Sequence, residues 1–206
     1  GTWPDGYDRP DLAAALMELA GSAPLRPQDV VSIAHERFPG ALITVDAGAH
    51  MLVAMPLWRS AAPNDVLISN GLATMGFALP AAIAAAISRP DRKVICFVGD
   101  GGLGMALAEL EVLSRRSLDV TVIVFNDASL TLIKLKQGEA QGGTAAVGYS
   151  PISFAGIATA MGIDSATVRD GDEFRGALDQ SEGRPFLIDA PINASDYKDI
   201  MKLARG

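Results

Sequence analysis

The sequence predicts an α/β protein built on a doubly wound, mostly parallel sheet with helices on both faces. Three observations lead there. Short apolar runs alternate along the chain with stretches of helical periodicity. Four of the five runs are almost continuously apolar, as strands buried on both faces of a parallel sheet must be. The chain has 206 residues, 49% of them hydrophobic, which suits one domain with a substantial core.

The strands are expected at 41–45, 66–68, 94–98, 120–125 and 186–188. Helices fall between them. The first, 27–37, opens on Pro27, whose missing N–H is no loss in a first turn, and carries Val30, Val31 and Ile33 on one side. A second runs over 80–87, with Pro80 at its start. A third, 103–116, places Leu103, Leu107, Leu110, Val112 and Leu113 on a broad stripe and ends on Arg115 and Arg116, which suit a helix C-terminus. Further helices are expected at 154–161 and 172–178. There is no internal repeat. Residues 138–150, GEAQGGTAAVGYS, lack apolar periodicity and predict a loop, either plain surface or a lid over a ligand. The polar, turn-rich opening marks 1–25 as the remnant of an inter-domain linker, with the domain proper over 26–206.

Charge and cysteine usage exclude several functions. The net charge is −7 and no long basic stretch exists, which argues against a nucleic-acid or anionic-membrane partner. Cys96 is the single cysteine, so no disulfide can form within the chain, and a cytoplasmic setting is expected. Residues 68–88 carry no charge over about the length of a spanning helix. Asn70, Gly71, Gly76 and Pro80 interrupt them, so they read as strand, loop and helix.

The chemistry gathers where the strand at 94–98 runs into GDGG, Gly99 to Gly102, and then into a helix. Glycines at such a turn let backbone N–H groups approach a phosphate. Asp100 is out of place beside a phosphate. At roughly 4 Å and an effective dielectric near 20, two like charges repel by on the order of 4 kcal/mol. A divalent cation between them reverses the sign, and oxygen ligands favour Mg²⁺. The next strand ends in Asn126-Asp127. Neighbouring parallel strands end at one edge of the sheet, which brings Asp127 beside Asp100.

GDG, then 24 residues, then Asn126-Asp127 resembles the thiamine diphosphate (ThDP) signature, GDG followed by a pair usually written NN. ITVDAGAHM (43–51), NGLATMGFALPAA (70–82) and FAGIATAMG (154–162) follow the order and spacing of the C-terminal domain of acetolactate synthase-like enzymes. The resemblance covers roughly residues 27–192. It implies the ThDP-binding fold, with thiamine diphosphate and Mg²⁺ as cofactors. Asp100, Asp127 and the Ser129 carbonyl would hold the metal. Gly99, Gly101, Gly102 and Asn126 would border the diphosphate, with Gly48, Ala49 and His50 on its other side. Ala73 would offer its carbonyl to the aminopyrimidine, and Met75 would wedge the cofactor into a bent shape. The implied activity is that of a 2-oxo acid carboligase (a transferase) or decarboxylase (a lyase). The implied partners are a small 2-oxo acid and a pyrimidine-binding domain from the same or a neighbouring chain, in a homo-oligomer. That domain brings the activating Glu, so no catalytic residue is expected here, and the chain alone should be inert.

Other readings of the same residues stand beside this one. Asp100 can cap a helix and Asp127 can begin an Asx turn. Met75 can be core, and His50 a structural hydrogen-bonder. His35 reads as part of a solvated face, and Glu109 as a structural pairing residue. Gly99, Gly101 and Gly104 also satisfy GxGxxG, the fingerprint of a dinucleotide-binding oxidoreductase, but that leaves Asp100 unexplained. A scaffold that keeps the fold without turnover is the third class. Three positions depart from the family pattern: Asp127 replaces the second Asn, Lys136 stands where acetolactate synthases have a substrate-pocket Trp, and Ala49 replaces a Gln.

Overall fold

Strongly apolar strands with few polar atoms on either face are stable only between two layers of helix. The computed structural model describes residues 11–21 and 23–205, and it satisfies that requirement. Residues 1–10 of the expected linker lie outside the described residues.

The elements in chain order are α1 (Leu12–Glu18), α2 (Pro27–Arg37), β1 (Leu42–Val45), α3 (Met51–Leu57), β2 (Val66–Ile68), α4 (Ala78–Ser88), β3 (Val94–Gly99) and α5 (Asp100–Met105). A 3₁₀ turn, Leu107–Glu109, leads to α6 (Leu110–Arg116), β4 (Val120–Asn126), α7 (Thr131–Gln141), α8 (Phe154–Ala160), β5 (Asp164–Thr167), α9 (Gly171–Gln180) and β6 (Phe186–Pro191). A second 3₁₀ turn, Ala194–Asp196, precedes α10 (Tyr197–Arg205).

The sheet is six-stranded in the order β2-β1-β3-β4-β6-β5, and every pairing is parallel. The register sets Val45 beside Phe97, and Gly99 beside Phe125. Side chains alternate across it. Ile43, Ile95, Phe97, Ile123 and Ile188 face a layer of α1, α2, α3, α9 and α10. Leu42, Val94, Cys96, Val122 and Val124 face α4, α5, α6 and α8. The chain runs from β1 outward to β2, then returns past β1 to β3. The reversal opens a crevice at the carboxyl ends of β1 and β3, where ligands sit in open parallel sheets.

Sequence and structure differ in instructive places. β5 has the sequence DSAT and is partly exposed. It is an edge strand pairing with β6, so no apolar run announces it. The single helix expected over 103–116 is broken: the backbone departs from helical geometry at Ala106 (φ −122°), and a 3₁₀ turn re-aims α6. Leu103, Leu110 and Leu113 remain fully buried on both sides of the break. Of the expected loop 138–150, the first four residues belong to α7. Residues 142–146 are exposed, while Val147 is buried. The end of the loop is pinned: Leu130 N–H donates to the Val147 carbonyl (2.8 Å), and Tyr149 N–H to the Ala128 carbonyl (3.1 Å). His35 is not on a solvated face, because its ring packs edge-on to Trp58 at 4.8 Å.

One buried carboxylate joins three elements on the far side of the crevice. Asp189 of β6 accepts the Asn126 side-chain amide (2.9 Å), Phe154 N–H (2.9 Å) and Ala155 N–H (3.4 Å). It thereby ties the end of β4 to the start of α8. Truncation would strand one buried donor, Phe154 N–H, and weaken the bonding of two part-buried ones. Asp189→Ala is expected to destabilise the protein by about 3 kcal/mol, and Asp189→Asn by less, because one acceptor oxygen survives. Urea unfolding of the three proteins checks this.

Candidate cofactor site

The crevice is a cleft of about 260 Å³ at the carboxyl ends of β1, β3 and β4. From β1 come Ala47, Gly48, Ala49 and His50; from β3, Gly99 to Gly102; from β4, Phe125, Asp127 and Ser129. Ala73 and Met75 close one side, and Leu130, Ile133 and Lys136 of the α7 region line another.

The turn after β3 is built for close approach. A Cβ on Gly101 would lie 2.6 Å from Leu130 Cδ2, 3.2 Å from Tyr149 Oη and 3.3 Å from Met75 Cε. A Cβ on Gly102 would collide with the Asp46 carboxylate. The two glycines therefore have a packing reason beyond exposing backbone N–H groups. α5 has only six residues, so its dipole adds little, and local N–H groups are what the turn offers an anion.

Asp46 is the residue that sequence reasoning passed over. It is fully buried at the end of β1, and its carboxylate accepts N–H bonds from Gly76 (2.9 Å), Phe77 (2.8 Å) and Ala78 (3.1 Å). It thereby holds the turn that carries Ala73 and Met75 against the sheet. Burial raises its pKa, and the backbone N–H bonds oppose that rise. The available signal was its place within ITVDAGAHM, but a lone Asp after a strand does not reveal three backbone donors 30 residues downstream. Ala73 holds a left-handed backbone (φ 48°), as does Ala128 (φ 53°). For a residue with a Cβ that conformation is costly by about 1 kcal/mol; Ala73 lines the cleft, and Ala128 stands between the cleft-lining Asp127 and Ser129.

His50 is buried and stacks on Phe125 at 5.3 Å. Burial pushes its pKa down to about 4, with the Asp46 backbone carbonyl opposing the shift, so the ring is neutral at pH 7. Its Nε2 has no partner among the described residues. Asp100 accepts from Gly101 N–H (2.7 Å) and from Asp127 N–H (3.2 Å), so the two acidic residues are brought together as expected from the parallel strand ends. Burial raises the Asp100 pKa. Burial likewise raises Asp127 to about 6; the charge of Asp100 adds to the rise, and the Thr131 hydroxyl opposes it. Among the described residues Lys134 is the cation that acts on Asp127, and its influence is the smallest of those at work. Tyr149, from the pinned loop, lies against Asp100 without the alignment of a full hydrogen bond.

Asn126 is placed differently from its expected role. Its amide is committed to Asp189 (2.9 Å) and the Ile152 carbonyl (2.9 Å), so it braces the strand end from behind. Ser129 is buried in the cleft wall and is fixed by a bridge to Gly148 and by its hydroxyl bond to the Val147 carbonyl (3.1 Å). Glu109 stands in the 3₁₀ turn, away from the cleft-lining residues.

The donor set fits a metal-bound diphosphate. His50 Nε2 and Tyr197 Oη are buried and unpartnered among the described residues, while the buried Thr131 Oγ1 lies against Asp127 and Tyr149 Oη against Asp100 without a well-aligned hydrogen bond, all at or beside this cleft. Two carboxylates and a backbone carbonyl are hard oxygen ligands of the kind Mg²⁺ prefers, and diphosphate oxygens would complete the shell. Among the described residues no group of three or more His, Cys, Asp or Glu side chains gathers, so a cation here must draw on backbone and ligand oxygens.

Fold and site together define a parallel α/β domain with a cleft at three adjacent strand ends, lined by a glycine turn and two acidic residues. The chain belongs to the family described as thiamine pyrophosphate enzyme, C-terminal TPP binding domain, whose profile matches residues 46–190. It is 38% identical over 160 residues to the acetolactate synthase isozyme 1 large subunit of Escherichia coli (strain K12), a match covering 76% of this chain and 28% of that protein. It is 34% identical over 165 residues to an acetolactate synthase of Bacillus subtilis (strain 168), covering 79% of this chain and 28% of the relative. In fold it is similar to benzoylformate decarboxylase from Polynucleobacter necessarius, with a TM-score of 0.77 at 20% identity over 86% of this chain and 35% of that one. The chain thus matches little more than a quarter of the length of these two acetolactate synthases. No helix among the described residues is long and apolar enough to cross a membrane.

The raised carboxyl at Asp127 makes a prediction for the metal-free protein. Its folded pKa of about 6 exceeds its unfolded value, so the folded state holds the proton more tightly. The contribution favours folding fully below about pH 4 and is lost as the pH rises through 6. Asp127→Asn should therefore stabilise the metal-free protein at pH 7.5 by about 2 kcal/mol, and by almost nothing at pH 4. Urea unfolding in EDTA at the two pH values measures the difference.

Proposed function

We propose that this chain is the diphosphate- and Mg²⁺-holding domain of a thiamine diphosphate enzyme that acts on a 2-oxo acid, as a carboligase or a decarboxylase. The observation that carries the reading is the Asp100–Asp127 pair, a buried and a half-buried carboxylate held together beside a glycine turn, with only the weak influence of Lys134 opposing their charge among the described residues, in a chain of this family. A dinucleotide site at the same glycines leaves that pair repelling the pyrophosphate. A scaffold has no use for it, since uncompensated buried charge destabilises.

In this reading Asp100, Asp127 and the Ser129 carbonyl hold Mg²⁺. Gly99, Gly101 and Gly102, with Gly48, Ala49 and His50 opposite, enclose the diphosphate. His50, kept neutral by burial, has a single N–H, which it can give to the Asp46 carbonyl or, in the other tautomer, to the diphosphate through its unpartnered Nε2. Asn126 acts indirectly, by bracing the strand end that carries Asp127. Ala73 and Met75 meet the organic part of the cofactor, and Asp46 fixes the turn on which both ride. When bound, the cofactor supplies a carbanion-stabilising ylid and electron sink. The protein supplies placement and the exclusion of water. Lys136, in the cleft wall where acetolactate synthases carry a Trp, makes the substrate side more polar than theirs.

The activating carboxyl for the pyrimidine belongs to a further domain, from the same polypeptide or another subunit, in a homo-oligomer. Leu72 is 91% exposed and Met105 65%, an apolar rim beside the cleft that such a domain would cover.

Two outcomes test the reading. In the full-length enzyme, Asp100→Ala should abolish saturable Mg²⁺-dependent thiamine diphosphate binding in calorimetry, while Asp127→Asn, which keeps an oxygen ligand, should weaken it less. Wild-type affinity in Asp100→Ala would remove the metal assignment. Residues 1–206 alone, given thiamine diphosphate, Mg²⁺ and a panel of 2-oxo acids including pyruvate, should release no CO₂ catalytically. Sustained turnover at roughly 1 per second or more would contradict the shared-site reading.

A further inference from the structure

We propose that the Tyr197 hydroxyl donates a hydrogen bond to the diphosphate, a binding contact that rests on the thiamine diphosphate reading above and comes from α10, beyond the family-matched segment. Tyr197 is 1% exposed, among the largest fully buried side chains of the chain, and it lines the cleft. The family match ends at residue 190, so this contact is not part of the GDG-to-Asn126-Asp127 pattern.

The hydroxyl is the feature that needs a reason. The ring is packed into the core layer formed with α1, α3 and α10, where a Phe would fill nearly the same volume. The added oxygen is fully buried and has no hydrogen-bond partner among the described residues. A buried phenol without a partner loses its hydration and receives nothing in exchange. Burial first, and then the neighbouring Asp127, Asp100 and Asp196, hold its pKa well above the ordinary tyrosine value, itself already far above neutral pH. The phenol therefore stays protonated and can serve as a donor. Asp127 Oδ1 is also without a partner, so these two groups have not satisfied each other. A protonated donor and an open carboxylate oxygen in one cleft wall suit a ligand that brings oxygen acceptors together with a cation.

The experiment uses the full-length enzyme and Tyr197→Phe. Calorimetry at saturating Mg²⁺ would measure affinity for thiamine diphosphate and, separately, for inorganic pyrophosphate. The expected result is about a tenfold loss of affinity for both in Tyr197→Phe, the effect of one hydrogen bond to a charged acceptor. Without cofactor, the variant should unfold in urea at a concentration equal to or above that of the wild type, because an unsatisfied group has been removed. Equal affinity for both ligands would overturn the proposal and make Tyr197 a core residue. A loss confined to thiamine diphosphate would also overturn it, placing the hydroxyl away from the phosphates. A lower unfolding midpoint without cofactor would overturn it as well, since the hydroxyl would then have a structural partner. If the wild type itself bound no thiamine diphosphate, the parent reading would fail, and that result is distinguishable from all of these.

Discussion

The site depends on the carboxylate of Asp46. It stands at the end of β1, fully buried, and three consecutive backbone N–H groups, from Gly76, Phe77 and Ala78, converge on it. That arrangement holds a glycine-containing turn across the mouth of the sheet, where apolar packing alone would hold it poorly. The same carboxylate lies under Gly102, so a side chain there would dislodge it. The backbone carbonyl of Asp46 meets the His50 ring. One residue therefore sets the relative positions of the β1 turn, the β3 turn and the Met75 turn. Charge-assisted bonds from backbone N–H groups are strong and directional, which suits a junction that must be accurate.

This junction was not legible in the sequence, although the parts it joins were. β1, β3 and β4 were readable because strands buried on both faces must be nearly continuous apolar runs. The proximity of Asp100 and Asp127 followed from parallel strands ending at one edge, with no further information needed. What failed to show were features set by tertiary contacts. β5, DSAT, is an edge strand whose pairing is with β6 and whose composition is polar. α7 runs on through Gly138 and to Gln141, through residues whose composition suggests a loop. α10 lies beyond the recognisable motifs, and with it Tyr197. The side-chain direction of Asn126 was also hidden: its amide turns toward Asp189, a partner 63 residues away, and a motif spelled as adjacent letters cannot display that.

The reasons given for GDGG also change once the packing is known. Glycine was expected for the sake of a phosphate. Gly102 is required first by Asp46, and Gly101 by Leu130, Tyr149 and Met75. The two requirements are compatible, since a turn with no room for a side chain leaves its N–H groups uncovered. A scaffold that had lost its ligand would still need these glycines. They are therefore weaker witnesses to cofactor binding than their place in a signature suggests, and the acidic pair is the stronger one.

The acidic pair is informative because it is unfavourable as it stands. Packing and backbone bonds hold Asp100 and Asp127 together, yet burial raises both carboxyls, and the charge of Asp100 adds to the rise at Asp127. Two unit charges at close range in a partly buried site repel by several kcal/mol, on the order of the net stability contributed by many residues. Selection for stability alone would remove one of them, and an amide at 127 would fill the same space. In the proposed reading a divalent cation would convert the repulsion into two attractions, and a diphosphate would restore the charge balance around it. Asp127 in place of the more usual Asn thus shifts the balance in a definite direction. Without a cation the pair is less stable than with an Asn there, and under the proposed reading more of the binding free energy would come from the metal. Coupling of metal and cofactor should accordingly be tighter here than where an Asn stands, because a diphosphate arriving without its cation would meet two carboxylates rather than one.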